Sequence, residues 1–380
     1  MRAFRLSEIA NVEAGGTPSR TNPSYWNGEI PWVKISDISS KYVDHCDEKI
    51  SDDGLSNSSA KVFSKGTILY TIFATLGRVG ILTFNASTNQ AIAGIKITDQ
   101  SIDSDYLYYY LRSQEAKVKE IGNGVAQKNI NLSILRNWLV PFTDERHQKE
   151  IVSKLSTIET AIDNKNKQLL ALDNLIKSRF SETFIGKDFP LKTLDSLSKQ
   201  KGQYGAQSAS IKFDKKRPRY IRITDINDDG SLNDDYVSSK KMEDDNDYKL
   251  EDGDFVFART GATVGKTYVF NHGNQIYAGY LIRYKLNQDL LNPIYLFWFT
   301  KTDSYWRWVK NSQSGAAQPG INAKKYGSLL IPTVPIKMQN EFASFAKLID
   351  KSKFIVQKEL NDLQELLDSM MDEYFGGTEE

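Results

Sequence analysis

The sequence predicts an α+β chain. Two similar mixed α/β domains alternate with two long helices, which pair as an antiparallel coiled coil about a pseudo-twofold axis. Three observations carry this. Residues 30–38 read IPWVKISDI and return as PRYIRITDI at 218–226. Residues 124–142, GVAQKNINLSILRNWLVPF, return as GAAQPGINAKKYGSLLIPT at 315–333. The offset is 188 residues from Asp37 to Asp225 and 191 from Gln127 to Gln318. A solenoid repeats every ~20–50 residues, so this is one fold used twice. The third observation is a long, unbroken helical pattern that closes each copy.

The first copy opens with residues 1–143, a mixed, aromatic-rich stretch. Short strand-like runs such as WVKISDI (32–38) and GTILYTIF (66–73) are punctuated by Gly and Asn. YLYYYLR, from Tyr106 to Arg112, predicts a short helix, with YLFWFT at Tyr295–Thr300 as its copy. The pattern then changes. From Glu145 to Phe184 there is no Gly or Pro, and apolar residues recur at Ile151, Leu155, Ile158, Ile162, Leu169, Leu172 and Ile176. This is a heptad-like seam. It returns at Phe342, Ala346, Ile349, Val356, Leu360, Leu363, Leu367, Met370 and Tyr374. Forty helical residues span ~60 Å, a stripe too long for one small domain to cover, so each helix is expected to cover the other. Lys165 and Lys353 breach the seams. An antiparallel register sets Lys165 near Asp362 and Lys353 near Asp173, two pairs that would fix it.

Size and composition agree. At 380 residues the chain exceeds one compact core and predicts two or three domains. Hydrophobic residues at 40% and aromatics at 11% make it globular. No apolar run reaches the ~20 residues of a membrane helix, and MRAFRLSEIANVEAGG lacks the apolar core of a signal peptide. The single cysteine, Cys46, has no partner for an internal disulfide, which fits a reducing cytoplasm and an inert thiol.

A net charge of +1 hides an uneven distribution. Residues 191–334 hold 21 Lys and Arg against 16 Asp and Glu, and 12 of those acids fall within 225–254. The rest of the segment has 18 basic and 4 acidic residues. Such segregation makes a positive face for a polyanion. Charge alone equally allows an acidic loop on an ordinary surface.

Motifs for catalysis fail on inspection. GATVGKT (261–267) has three residues between Gly and Gly-Lys-Thr where a P-loop has four, and the strand-like TYVFN follows it. Asn22-Pro23-Ser24-Tyr25 and Asn292-Pro293-Ile294-Tyr295 resemble the Asn-Pro-Pro-Tyr loop of amino-methyltransferases but lack the second proline, so they read as turns. His45, His147 and His272 are scattered, and one cysteine makes a zinc site unsupported. His147, at the start of the long helix, reads as surface. The run Asp244-Asp245-Asn246-Asp247 occurs in one copy only and reads as a solvated loop.

Shared polar positions say more. Lys34 aligns with Arg222, Ser36 with Thr224, Asp37 with Asp225, and Asn131 with Asn322. Strand alternation puts Lys34 and Ser36 on one face, which is either a DNA-facing surface or, for Asp37 and Asp225, the brace of a turn.

Several blocks together resemble the DNA-specificity subunits of type I restriction–modification systems. In the first copy these are LSEIANVEAGGTPSRTNPSYWNGEIPWVKISDI (6–38), GVAQKNIN (124–131) and LVPFTDERHQKEIVSKL (139–155). In the second they are RPRYIRITDI (217–226), GDFVFARTGATVGK (253–266) and SGAAQPGIN (314–322). The resemblance covers essentially the whole chain. It implies a first target-recognition domain over 1–143, a central spacer helix over 144–188, a second recognition domain over 189–334 and a C-terminal spacer helix over 335–377. Each domain would read half of a bipartite, asymmetric target in double-stranded DNA. It implies no catalysis and no cofactor in this chain. Two modification subunits would bring S-adenosylmethionine, and restriction subunits would bring ATP and magnesium.

The residues expected at DNA are loop cations and two hydroxyls. In the first domain they are Arg20, Lys34, Ser36, Arg78 and Lys128. In the second they are Lys215, Lys216, Arg217, Arg222, Thr224, Arg259 and Lys266. Arg20 after a Gly-Gly-Thr-Pro-Ser turn, and Arg259 at a strand end, are expected to project outward. The rival readings are a stand-alone methyltransferase or nuclease with a duplicated DNA-binding region, and an adaptor between two proteins without nucleic acid.

Overall fold

The computed structural model describes residues 2–115, 118, 129–313 and 320–376. Gln127, Lys128 and Gln318 lie outside the described residues. Contacts divide the chain into two units, Met1–Lys167 with Gln357–Glu380, and Gln168–Val356. Each unit therefore joins one mixed domain to parts of both long helices.

In the first unit a five-stranded sheet runs Ala10–Ala14, Ile92–Ile97, Ile68–Thr71, Val79–Leu82, Tyr42–Val43. The first four strands are antiparallel neighbours. Ile30–Val33 pairs in parallel with Ala86–Thr88 in a second sheet. The second unit repeats the plan. Ser198–Tyr204, Leu281–Leu286, Phe255–Ala258 and Thr267–Val269 form an antiparallel sheet in the same order, and Arg219–Ile221 pairs in parallel with Gln275–Tyr277. The β-branched and aromatic content of ILYT and FVFA suits strands that are buried throughout.

The predicted short helices are Ser104–Ser113 and Pro293–Phe299. Their aromatic residues are core: Tyr106 and Tyr109 are buried in one unit, Tyr295 and Phe299 in the other. Asp103 and Asn292 cap them through side-chain oxygens. The first Asn-Pro segment is likewise a capped turn, with Asn22 accepting from the Ser24 N–H at 3.2 Å.

Both long helices are unbroken, Glu145–Phe184 and Ile336–Phe375. In the first unit Leu155 and Ile158 share a core with Leu367, Met371 and Phe375. Met371 and Phe375 extend the seam one row beyond the residues the heptad pattern picks out. Lys154 reaches the Tyr374 hydroxyl at 3.4 Å and Lys165 reaches Glu359 at 2.6 Å. Advancing along one helix thus retreats along the other, so the pair is antiparallel. In the second unit Lys353 meets Asp173 at 2.5 Å, as the register required, and the Phe180 and Phe342 rings are 5.2 Å apart. The Lys165 expectation needs correction. Its partner is Glu359, about one turn before Asp362.

One buried amide per unit fastens domain to helix. Gln148 is fully buried; it accepts from the Asp103 N–H at 2.8 Å and donates to the carbonyls of Ser101 and Thr143 at 2.8 and 2.9 Å. Gln339, also fully buried, accepts from the Asn292 N–H at 2.9 Å and donates to Leu290 and Val334 at 3.0 and 2.7 Å. Each glutamine holds the cap of the aromatic helix against the start of a long helix. Among the described residues no helix is long and apolar enough to cross a membrane.

Candidate nucleic-acid interface

The shared SDI and TDI segments are turns, and the strand alternation expected through Lys34 and Ser36 does not occur. Ile30–Val33 ends before Lys34, and Ile35–Asp37 is a single 3-10 turn. The Asp37 carboxylate accepts the Lys34 N–H at 2.8 Å, and Asp225 accepts the Arg222 N–H at 2.8 Å. These acids compete with the ladder for the backbone donor and stop the strand. Ser36 and Thr224 are left exposed on the turn, each beside its own aspartate.

In the first unit the turn presents Lys34 beside Arg20. Both cations meet Glu48, at 2.8 and 2.6 Å. Burial pushes the Glu48 carboxyl up, but the Lys34 and Arg20 contacts outweigh it and hold the group below the usual carboxylate range. The hydrogen bond from Lys34 in turn raises the lysine. Arg20 does not simply project outward: its guanidinium lies 3.5 Å from the centre of the Trp26 ring, a cation–π contact that fixes its direction. Trp26 and Glu48 escaped the sequence reading, because 188 residues on stand Asp214 and Tyr236, so the repeat is silent there. Arg78 is exposed just after Gly77, whose φ of 86° turns the hairpin. It borders a groove with Lys41, Arg112 and Asp163.

In the second unit Lys266 follows Gly265, with φ 90°, at the matching hairpin. It pairs with Asp228 at 2.8 Å, which holds that aspartate below its ordinary range. Arg222 bonds Asp225 and the exposed Asp235, both at 2.7 Å, and these bonds raise the guanidinium further. Arg217 makes a two-pronged contact with Asp245, at 2.6 and 2.7 Å. Lys215 and Lys216 are exposed. Arg259 is half-buried, 4.8 Å from the centre of the Tyr204 ring, and donates to the Gly279 carbonyl at 3.3 Å.

These pairs correct two expectations. The acidic stretch 225–254 is not segregated from the basic residues; Asp228, Asp235 and Asp245 sit on Lys266, Arg222 and Arg217. The run at 244–247 is not a solvated loop either. Asp244–Asp247 is one helical turn, and Asp244 is buried and accepts from the Ser239 hydroxyl. Of the cations expected at DNA that fall among the described residues, Lys215, Lys216 and Arg78 are the most open, while Arg20, Lys34, Arg217, Arg222, Arg259 and Lys266 are held by acids or aromatic rings.

His147 is exposed at the helix start, 2.6 Å from Asp144, and burial pushes the Cys46 thiol up. Among the described residues no cluster of His, Cys, Asp and Glu has the arrangement of a metal site.

The sequence model of the type I restriction modification DNA specificity domain matches residues 1–174 and again 188–365. The chain belongs to this family. The two specificity domains coincide with the two copies of the repeat. The MjaIX specificity subunit of a type I restriction enzyme from Methanocaldococcus jannaschii is 26% identical over 244 residues, covering 58% of this chain and 56% of that relative. The chain thus spans about half the length of this curated relative. A crystal structure of a type I restriction–modification S subunit from M. genitalium is similar over 97% of this chain and 94% of its own, with a TM-score of 0.56 and 16% identity. A structure described as the basis of complex assembly and conformational transition of the type I R-M system covers 98% and 97%, with a TM-score of 0.62 and 16% identity. At such identities the likeness is one of fold, and it is the fold of paired specificity domains and long helices described above.

Proposed function

We propose that this chain is the DNA-specificity subunit of a type I restriction–modification complex. In this reading it is non-catalytic and acts in the cytoplasm. Each domain reads one half of a bipartite, asymmetric double-stranded target, and the paired helices set the unspecified gap. Two modification subunits supply S-adenosylmethionine chemistry, and restriction subunits supply ATP- and magnesium-dependent cleavage. The chain itself holds no cofactor. The observation that carries the reading is the repeat of domain and helix together, with an equivalent turn in each copy offering a cation and a hydroxyl, Lys34 with Ser36 and Arg222 with Thr224.

The test is to assay the purified chain alone for methylation and cleavage, then with candidate modification subunits. Activity is expected only in the assembly. Methylation or cleavage by the chain alone favours the stand-alone enzyme, and assembly with no dependence on DNA favours the adaptor.

Within the assembly, Lys34→Ala, Arg78→Ala and Lys266→Ala are expected to weaken binding to all sequences. Each should lower the salt slope of binding by about one. Unchanged affinity for all three variants refutes this surface. Asp235→Asn and Asp228→Asn should act oppositely. Freeing Arg222 and Lys266 from exposed acids is expected to tighten sequence-independent binding about two- to fivefold at low salt, the scale of a surface ion pair. A titration at two salt concentrations reads the difference.

A further inference from the structure

The two copies share a backbone but differ sharply at one place. In the first copy the Ile72 N–H bonds the Ala91 carbonyl, and the Ile72 carbonyl accepts from Ile130. In the second, the Arg259 N–H bonds the Tyr280 carbonyl, and the Arg259 carbonyl accepts from Ile321. Arg259 therefore occupies the position of Ile72, and Tyr280 that of Ala91. On the neighbouring strand Ala14 lies opposite Ala93, while Tyr204 lies opposite Ile282 at the equivalent step. Two alanines and a buried isoleucine in one copy are thus two tyrosines and an arginine in the other.

The exchange makes a site. Tyr280 is 57% exposed and Tyr204 41% exposed, although both are large aromatics. Arg259, Tyr280, Arg222 and Thr224 border one concavity of about 680 Å³. Tyr204 underlies the guanidinium, which donates one N–H to the Gly279 carbonyl, so the planar group is held in one direction. The Arg259 Nε and the adjacent Thr260 hydroxyl are buried without a hydrogen-bond partner among the described residues. Both atoms are closed to solvent, so what the concavity can meet is the terminal end of the guanidinium; a fork held in one direction suits a planar acceptor pair better than a mobile phosphate.

We propose that Arg259, braced by Tyr204 and flanked by Tyr280, reads a guanine edge in the half-target of the second domain. The first domain, with Ile72, Ala14 and Ala91 at these places, makes no such contact. The inference rests on the DNA-specificity reading. A guanine offers O6 and N7 as adjacent acceptors in the major groove, the pattern a guanidinium matches with two parallel bonds.

The experiment uses the assembly of the full chain with its modification subunits and a pool of duplexes of random sequence. Wild type is expected to enrich a bipartite motif. Arg259→Ala is expected to lose discrimination at one G·C pair of one half only, by about ten- to a hundredfold. The other half should be unchanged. Arg259→Lys keeps the charge and loses the fork, so it should retain affinity and lose the same preference. Three results overturn the proposal: an unaltered motif in Arg259→Ala, full retention of the base preference in Arg259→Lys, or a uniform loss of affinity with a reduced salt slope. Failure of wild type to enrich any motif overturns instead the underlying DNA-specificity reading.

Discussion

Gln339→Leu is expected to destabilise the second unit by about 3–5 kcal/mol, and Gln148→Leu the first by a similar amount. Leucine nearly conserves the volume, so the cost lies in what it abandons. At position 339 the Asn292 N–H and the carbonyls of Leu290 and Val334 lose their partner together. The amide is fully buried and its bond to Val334 lies out of water, whereas the Asn292 and Leu290 bonds are partly buried, which keeps the cost at the lower end of the sum. Each orphaned group costs about 1–3 kcal/mol, and such totals mark the exceptional end of single substitutions. Denaturant unfolding of each variant against Gln364→Leu, an exposed change on the second long helix, reads the difference. A midpoint shift no larger than that of the control would show that the amide is not the fastening it resembles. The two variants should also be separable: a probe in the second unit should respond to Gln339→Leu before a probe in the first.

Why the fold was legible follows from where its signals reside. The long helices announce themselves through the absence of Gly and Pro and a period that only a helix satisfies. Their register was legible too, because a lysine in an apolar seam needs an acid, and Asp173 was the acid in reach of Lys353. Lys165 meets Glu359 and not Asp362, because a heptad period fixes the register only to about a turn and two acids three residues apart fall within that margin. The turns at Asp37 and Asp225 were half legible. Alternation of V-K-I-S suggested a strand, and a local carboxylate–backbone bond overrode it. Least legible was the state of the cations. Composition counts Arg217, Arg222 and Lys266 as positive surface, but Asp245, Asp235 and Asp228 are 28, 13 and 38 residues away from them in sequence, at distances no local pattern reports. The buried glutamines were missed although the signal was present, since both lie at the 191-residue offset of the second repeat block.

Inserting one heptad into each long helix, after Lys167 and after Val356, is expected to lengthen the unspecified gap of the target and leave both half-site sequences unaltered. These points are where the chain passes from one unit to the other. Each unit therefore keeps its own helix–helix contacts, Lys165 with Glu359 and Lys353 with Asp173. Seven residues preserve the apolar seam of a coiled coil and add about 10 Å of helix. With a base-pair rise of about 3.4 Å, the gap grows by about three base pairs if the helix pair lies along the duplex, and by fewer if it lies obliquely. The original target should no longer be bound in both halves at once, so avidity from linking the two domains is lost on it. An insertion in one helix alone shifts the seam on one side only and should destabilise the pair without defining a new gap. Mapping the methylated sites of the assembled variant decides the matter. New half-site sequences at an unchanged gap would mean that the helices do not set spacing, and the recognition surfaces assigned to the two domains would then have to be sought elsewhere on the chain.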